Sequence, residues 1–143
     1  MASKPKWNVF DARCPTRLVL DRVADKWTVM IVARLAARTM RFGELRRDIA
    51  GISQKMLTQT LRGLERDGLV ARQVHLEVPP RVEYSLTPLG ATLVGILTHI
   101  KEWAEGNIEA VLRAQRVYDE AQQRPAEPAA ARVKVVRLTS RAA

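Results

Sequence analysis

Lys55, Thr58, Gln59, Arg62 and Arg66 recur at i, i+3, i+4, i+7 and i+11, so a helix through them gathers cations and hydrogen-bonding groups on one stripe. No carboxylate interrupts the stripe until Glu65 at its flank. An ordinary solvated helix face mixes both signs of charge. A helix laid in the major groove of DNA needs this set instead. Lys and Arg meet phosphate or guanine, Gln pairs bidentately with adenine, and Thr meets phosphate or a thymine methyl. Gln54 and Gln59 are the better candidates for base reading. Catalytic chemistry has no comparable support: no Ser/His/Asp arrangement, Gly-rich phosphate loop or carboxylate pair stands out. His75 and His99 are isolated, with no Cys or carboxylate at ligand spacing, so no metal and no cofactor is expected. The three Trp are expected in a core or a subunit contact, and the chain is not expected to be an enzyme.

Cys14 is the other residue with chemistry of its own. Arg13 and Arg17 flank it at a helix start, where cations and the helix dipole would lower a thiol pKa. The alternative is a small residue that packs the helix end. As the chain's single cysteine, it excludes an intramolecular disulfide and makes a reducing compartment, the cytoplasm, the default.

The elements that must carry these residues follow from periodicity and punctuation. Ser53 is a suitable N-cap and Gly68-Leu69 a suitable stop for the helix bearing the stripe, with Met56, Leu57, Leu61 and Leu64 turned inward. A preceding helix opens at Gly43 as N-cap, points Leu45 and Ile49 inward, and turns at Ala50-Gly51-Ile52. Helix, tight turn and polar-faced second helix make a helix-turn-helix. After Gly68 the apolar period falls to two, with Val70, Arg72, Val74 and Leu76 on one face and Val82, Tyr84 and Leu86 on the next strand. Pro79-Pro80 between them mark a hairpin tip, and a hairpin there is a wing. Arg81, positioned by this tip, is either a groove contact or a charge paired with Glu83.

Upstream, Cys14-Pro15-Thr16 opens a helix with Leu18, Val19 and Val23 inward. A break at Asp25-Lys26-Trp27 leads into another that aligns Trp27, Ile31 and Leu35, with Thr28 as a local cap; Ala36–Thr39 connects to a brief strand at 40–42. Downstream, Thr87 as N-cap and Pro88 at N1 start one long helix of about 45 Å. Its stripe of Leu89, Leu93, Ile96, Ile100, Trp103, Asn107 and Val111 is too long for a small core to cover, and a second copy of the chain is the simplest supplier of the missing surface. The expected organisation is an arm over 1–13, a domain over 14–121 and a basic, disordered tail over 122–143, with 132–138 as an alternative strand. Trp7 and Phe10 on the arm would dock on a partner subunit.

The 143 residues suffice for one core. The net charge is +9 and the pI about 10.6, which favours an anionic partner. Residues 122–143 hold five Lys/Arg and one Glu, leaving +5 on the first 121, so the folded part is itself basic. There is no apolar run long enough to span a bilayer and no signal-like N-terminus, hence no membrane partner.

Four pieces together resemble the HxlR-type winged helix-turn-helix transcriptional regulators, within the broader MarR-like superfamily. They are CP at 14–15, DKWTVMIVARL at 25–35, RFGELRRDIAGISQKMLTQTLRGLERDGLVAR at 41–72 and PPRVEYSLTPLG at 79–90. Ala24-Asp25 stands where that family commonly has a glycine-rich step, which would alter the helix junction. The resemblance implies a mainly α fold with a small β-wing, a long C-terminal dimerisation helix, and a bacterial homodimer on double-stranded DNA, in the cytoplasm and associated with the nucleoid. It implies DNA contacts from Ser53, Gln54, Lys55, Thr58, Gln59 and Arg62 on the recognition helix and from Arg81 on the wing. It also favours Cys14 as a candidate redox sensor, responsive to an oxidant or small-molecule effector. The expected function is sequence-specific regulation, as a repressor on a pseudo-palindromic operator. The rival classes are a non-specific architectural nucleoid protein and a protein-interaction module on the same fold.

Overall fold

The computed structural model describes residues 6–125. Its elements are α1 (Thr16–Val23), α2 (Lys26–Ala37), β1 (Met40–Arg41), α3 (Phe42–Asp48), α4 (Gln54–Arg66), β2 (Val70–His75), β3 (Arg81–Leu86), α5 (Pro88–Ala91) and α6 (Val94–Gln123). The fold is a mainly helical winged helix-turn-helix with a small antiparallel sheet of strand order β1-β3-β2. The chain divides into two compact units between Glu105 and Gly106, within α6. The tail from 126 on, including the alternative strand at 132–138, lies outside the described residues.

Short-range chemistry fixes α4 at both ends. The Ser53 hydroxyl accepts from the amide of Met56 at 3.0 Å, satisfying one of the orphan donors of the first turn. At the other end Gly68 adopts φ 73°, a left-handed conformation that carries no Cβ penalty at glycine. The amide of Gly68 donates to Glu65 O at 3.0 Å and that of Leu69 to Leu64 O at 2.9 Å, the paired bonds of a Schellman stop. Leu64 and Leu69, both buried, supply its apolar clasp.

The inner face of α4 differs from the expected one by a single residue. Leu57, Leu61 and Leu64 are buried, but Met56 is 38% exposed and Thr60 takes the inner place. Thr60 can do so because its hydroxyl donates to the carbonyl of Met56 at 2.8 Å, which removes the cost of burying it. Around these leucines close Ile31 and Leu35 of α2, Met40 of β1, Leu45 of α3, Ile49, Val70 of β2 and Tyr84 of β3.

Elsewhere the caps shift. Asp25, not Thr28, caps α2: its Oδ1 accepts from the amides of Trp27 and Thr28 at 2.7 and 3.3 Å, and the Thr28 side chain is fully buried in the first turn. α3 begins at Phe42 with Arg41 as N-cap, two residues ahead of Gly43. The choice is made by Glu44, whose carboxylate accepts the Arg41 amide at 2.8 Å. That bond, then the charge of Arg38, holds the Glu44 carboxyl below its ordinary range. A depressed carboxylate stabilises the fold above its unfolded pKa and loses that contribution as pH falls through the folded value.

β2 and β3 pair antiparallel from Val70↔Leu86 to His75↔Arg81. On β2 only Val70, at the base of the hairpin, is buried, whereas Val74 is exposed and Leu76 lies beyond the strand in the tip; β3 meets the core through Tyr84, with Val82 and Leu86 packed against it. Thr87 and Pro88 start a helix as expected, with the Thr87 hydroxyl accepting from Gly90 N at 3.0 Å. The long C-terminal helix is present as α6, 30 residues from Val94 to Gln123, but it does not run unbroken from Thr87-Pro88. α5 ends at Ala91, where the Thr92 hydroxyl turns back to the Leu89 carbonyl, and α6 restarts at Val94.

The apolar face of α1, expected to turn inward, is exposed, and much of the α6 stripe is left open, as its length required. α1 has no buried residue; Leu18 is 72% exposed and Val19 is exposed with it. On α6 the buried side chain is Leu97, 2% exposed and outside the expected stripe, and Leu93, just ahead of the helix, packs against the core. Ile96, Ile100 and Trp103 are open, as are Ile108, Leu112 and Tyr118 in the second unit.

Candidate nucleic-acid interface

The outer face of α4 presents Lys55, Gln59, Arg62 and Arg66 to solvent, with Ser53 and Gln54 exposed at its start and Thr58 half-buried. Lys55, Arg62 and Arg66 form no ion pair with any described residue, so a polyanion would meet their full charge. The Thr58 hydroxyl donates to Gln54 O at 2.8 Å and keeps its lone pairs for an outside donor. The Ser53 oxygen is engaged as the cap, while its O–H remains a donor.

Between this face and the wing lies a cleft of about 550 Å³, lined by Phe42, Gln54, Thr58, Arg62, Glu65, Arg72, Val82 and Tyr84. Arg72 is the site residue that pattern reading missed. Alternation puts it on one strand face with Val70 and Val74 and reaches no further than a face. The register Arg72↔Tyr84 brings it to the cleft opposite Arg62, and it too forms no ion pair with a described residue. An arginine inside an otherwise apolar alternation was the available signal.

Arg81 is differently placed. Its Nη2 lies 3.3 Å from Oε1 of Glu77 and its Nε 3.1 Å from Oε1 of Glu83, with 28% of the side chain exposed. The second contact does not close as a hydrogen bond. Glu83 is shared with His75, whose Nε2 is 3.1 Å from Oε2. Two carboxylates therefore offset the Arg81 charge, which Arg62 and Arg72 keep whole.

Cys14 is half-buried ahead of α1. Its thiol pKa is lowered, as expected, but for another reason. The Thr16 hydroxyl donates to Sγ at 3.1 Å, and this bond, then the Thr16 amide, accounts for the shift; the charge of Asp11 opposes it. The flanking guanidiniums are occupied elsewhere. Arg17 donates to the carbonyls of Val9 and Phe10, and Arg13 leans on Asp11 at 3.6 Å.

A family model described as HxlR-like helix-turn-helix matches residues 22–111. The chain belongs to this family. Among HxlR-like relatives, YtfH of Escherichia coli, an uncharacterized HTH-type transcriptional regulator, is 46% identical over 105 residues, covering 73% of this chain and 83% of YtfH. The solved structure of the transcriptional regulator YtfH from Salmonella typhimurium superposes with a TM-score of 0.71 at 45% identity, over 78% of this chain and 98% of that one. The redox regulator HypR in its oxidized form gives a TM-score of 0.61 at 46% identity, over 66% of this chain and 97% of HypR. As an HxlR-like protein, the chain is a DNA-binding transcriptional regulator with a helix-turn-helix fold. No helix among the described residues is long and apolar enough to cross a membrane.

Proposed function

We propose that the protein is a homodimeric, sequence-specific regulator that binds a pseudo-palindromic operator at the nucleoid and represses by occluding the polymerase. The observation that carries this is the cationic face of α4, without an ion pair among the described residues, beside the Arg62–Arg72 cleft. Ser53, Gln54, Lys55, Thr58, Gln59 and Arg62 meet the major groove, with Gln54 and Gln59 reading bases. Arg72 adds a phosphate contact from the wing. Arg81 reaches the backbone only by exchanging Glu77 and Glu83 for phosphate. Binding alone, with no chemistry on the nucleic acid, accounts for regulation. The exposed apolar residues of α1 and α6 support a dimer, whose two-fold axis sets two recognition helices about one DNA turn, ~34 Å, apart.

The test is a titration of duplex DNA against salt. Arg62→Ala and Arg72→Ala are each expected to lower the slope of log K against log salt by about 0.9, one phosphate contact apiece. Arg81→Ala should lower it less. Slopes equal to wild type in both of the first two would remove the cleft from the interface.

Cys14 is proposed as the sensor, supported by its lowered thiol pKa and by the likeness to a regulator named for redox response. Peroxide would take the thiol to a sulfenic acid with release of water, and a second thiol, from a partner subunit or a small molecule, would close a disulfide with release of another. A small-molecule effector has a candidate seat of its own, a groove of about 1040 Å³ floored by Val29, Met30, Ala33, Ile49, Ile100 and Ala104. Thiol alkylation across pH checks the cysteine. The midpoint should lie below that of an ordinary thiol, and Thr16→Val, which removes the largest cause, should raise it. An unchanged midpoint in Thr16→Val contradicts the assignment.

A further inference from the structure

Gly63 is the only glycine in α4, placed in its interior, where glycine weakens a helix relative to alanine. The structure supplies a reason for it. A Cβ at Gly63 would fall 2.0 Å from Nη1 and 2.3 Å from Cζ of Arg22. The guanidinium of Arg22, from the last turn of α1, therefore lies against the backbone of the recognition helix. From there its Nε donates to Oδ2 of Asp67 at 2.8 Å, and Asp67 is the C-cap of α4. Both side chains are about two-thirds covered. A cation at this end also meets the negative pole of the helix dipole.

The rest of α1 has little hold on the body, since none of its residues is buried. Its first turn is tied to the arm: Nε of Arg17 donates to Val9 O at 2.9 Å and Nη2 to Phe10 O at 3.3 Å. Two arginines thus string arm, α1 and recognition helix in series. The apolar side chains along the first two, Trp7, Phe10, Leu18, Val19 and Leu20, are exposed.

We propose that Arg22 is a positioning residue for DNA recognition, holding α4 to α1 through Gly63 and Asp67 so that the subunit contact made by α1 and the arm sets the pose of the recognition helix. Arg22 itself does not touch DNA. At 100° per residue, Gly63 and Asp67 lie roughly a quarter-turn from the stripe of Lys55, Gln59 and Arg62. The proposal rests on the DNA-regulator reading and fails separately from it.

The experiment compares the full-length wild-type chain with its variants on two DNAs: the duplex enriched from a random pool and random duplex itself, each across salt. Arg22→Ala is expected to lose about tenfold in the ratio of the two affinities, a coupling typical of contacting residues, with its salt slope unchanged because no phosphate contact is lost. Arg22→Lys keeps the charge without the guanidinium fork and should restore only part of the ratio. Gly63→Ala expels the guanidinium and should match Arg22→Ala, and the double variant should add nothing. If Gly63→Ala does not fold, the Arg22→Ala and Asp67→Asn pair takes its place with the same expectation. A wild-type ratio in Arg22→Ala overturns the proposal, as does a slope lowered by about one unit, which would make Arg22 a phosphate contact. A wild-type chain that does not discriminate between the two DNAs overturns the DNA-regulator reading itself.

Discussion

Replacing Ile96 and Ile100 together by aspartate is expected to convert the protein to a monomer and to weaken operator binding by at least ~1000-fold, toward the level of random duplex. The two side chains are 58% and 50% exposed, so the fold of one chain does not depend on them. Isoleucines on adjoining turns of a helix, beside an α1 that buries nothing, form an apolar surface of the kind soluble monomers rarely leave open. Aspartate there places charge where a second copy would exclude water, and two uncompensated charges cost more than an interface of ordinary size gains. A monomer presents one recognition helix and loses the half-site geometry. Sedimentation and operator titration measure both effects. A variant that stays dimeric and binds normally would place the subunit contact on another surface.

Gly90→Ala is expected to destabilise the fold by about 3 kcal/mol, at the upper end of overpacking costs. A Cβ there would lie 1.9 Å from the carbonyl oxygen of Leu69 and 2.9 Å from its carbon. These are backbone atoms and cannot turn aside. The same carbonyl accepts from the amide of Thr87 at 3.1 Å, and the Thr87 hydroxyl binds the Gly68 carbonyl. The start of α5 is therefore seated on the turn that ends α4, and pushing it away loosens the recognition helix, the wing and the entry to α6 together. Gly95→Ala is the control: its Cβ would meet nothing within 4 Å, and alanine should be neutral or stabilising by up to ~1 kcal/mol in a helix. Denaturant midpoints of the two variants make the comparison. Equal midpoints would mean that the close approach of Gly90 to Leu69 is not maintained in solution.

The parts of this structure readable in the sequence are those decided within a few residues. The Ser53 cap, the Gly68-Leu69 stop, the Thr87-Pro88 start and the hairpin around Pro79-Pro80 each carry their cause locally. Leu57, Leu61 and Leu64 followed from periodicity, and Thr60 did not, because its burial depends on a hydroxyl finding the Met56 carbonyl. The break at Ala91–Val94 was hidden by an apolar spacing that runs through it; there the Thr92 hydroxyl turns back to Leu89, beside the seat of Gly90 on Leu69, 21 positions earlier. The exposed face of α1 read as inward because periodicity reports that a face is apolar and not what covers it; on α6 the length of the stripe alone showed that the core could not cover it.

For the site, the stripe on α4 was legible because one helix carries it. Arg72, the carboxylates around Arg81 and the Arg22–Asp67 pair were not, since each depends on which segments a distant register brings together. Cys14 shows the same limit: the direction of its shift was foreseen, but the hydroxyl of Thr16 is its cause while Arg13 and Arg17 are turned to other partners.

Selection of binding sites from randomised duplex DNA at near-physiological salt, followed by titration of the enriched site, tests the central claim most directly. A specific homodimeric regulator predicts an enriched inverted repeat, half-sites about one turn apart, bound at least ~1000-fold more tightly than random duplex. The contradicting result is no enriched motif and an affinity that collapses on added salt, the behaviour of a non-specific architectural protein held by charge alone.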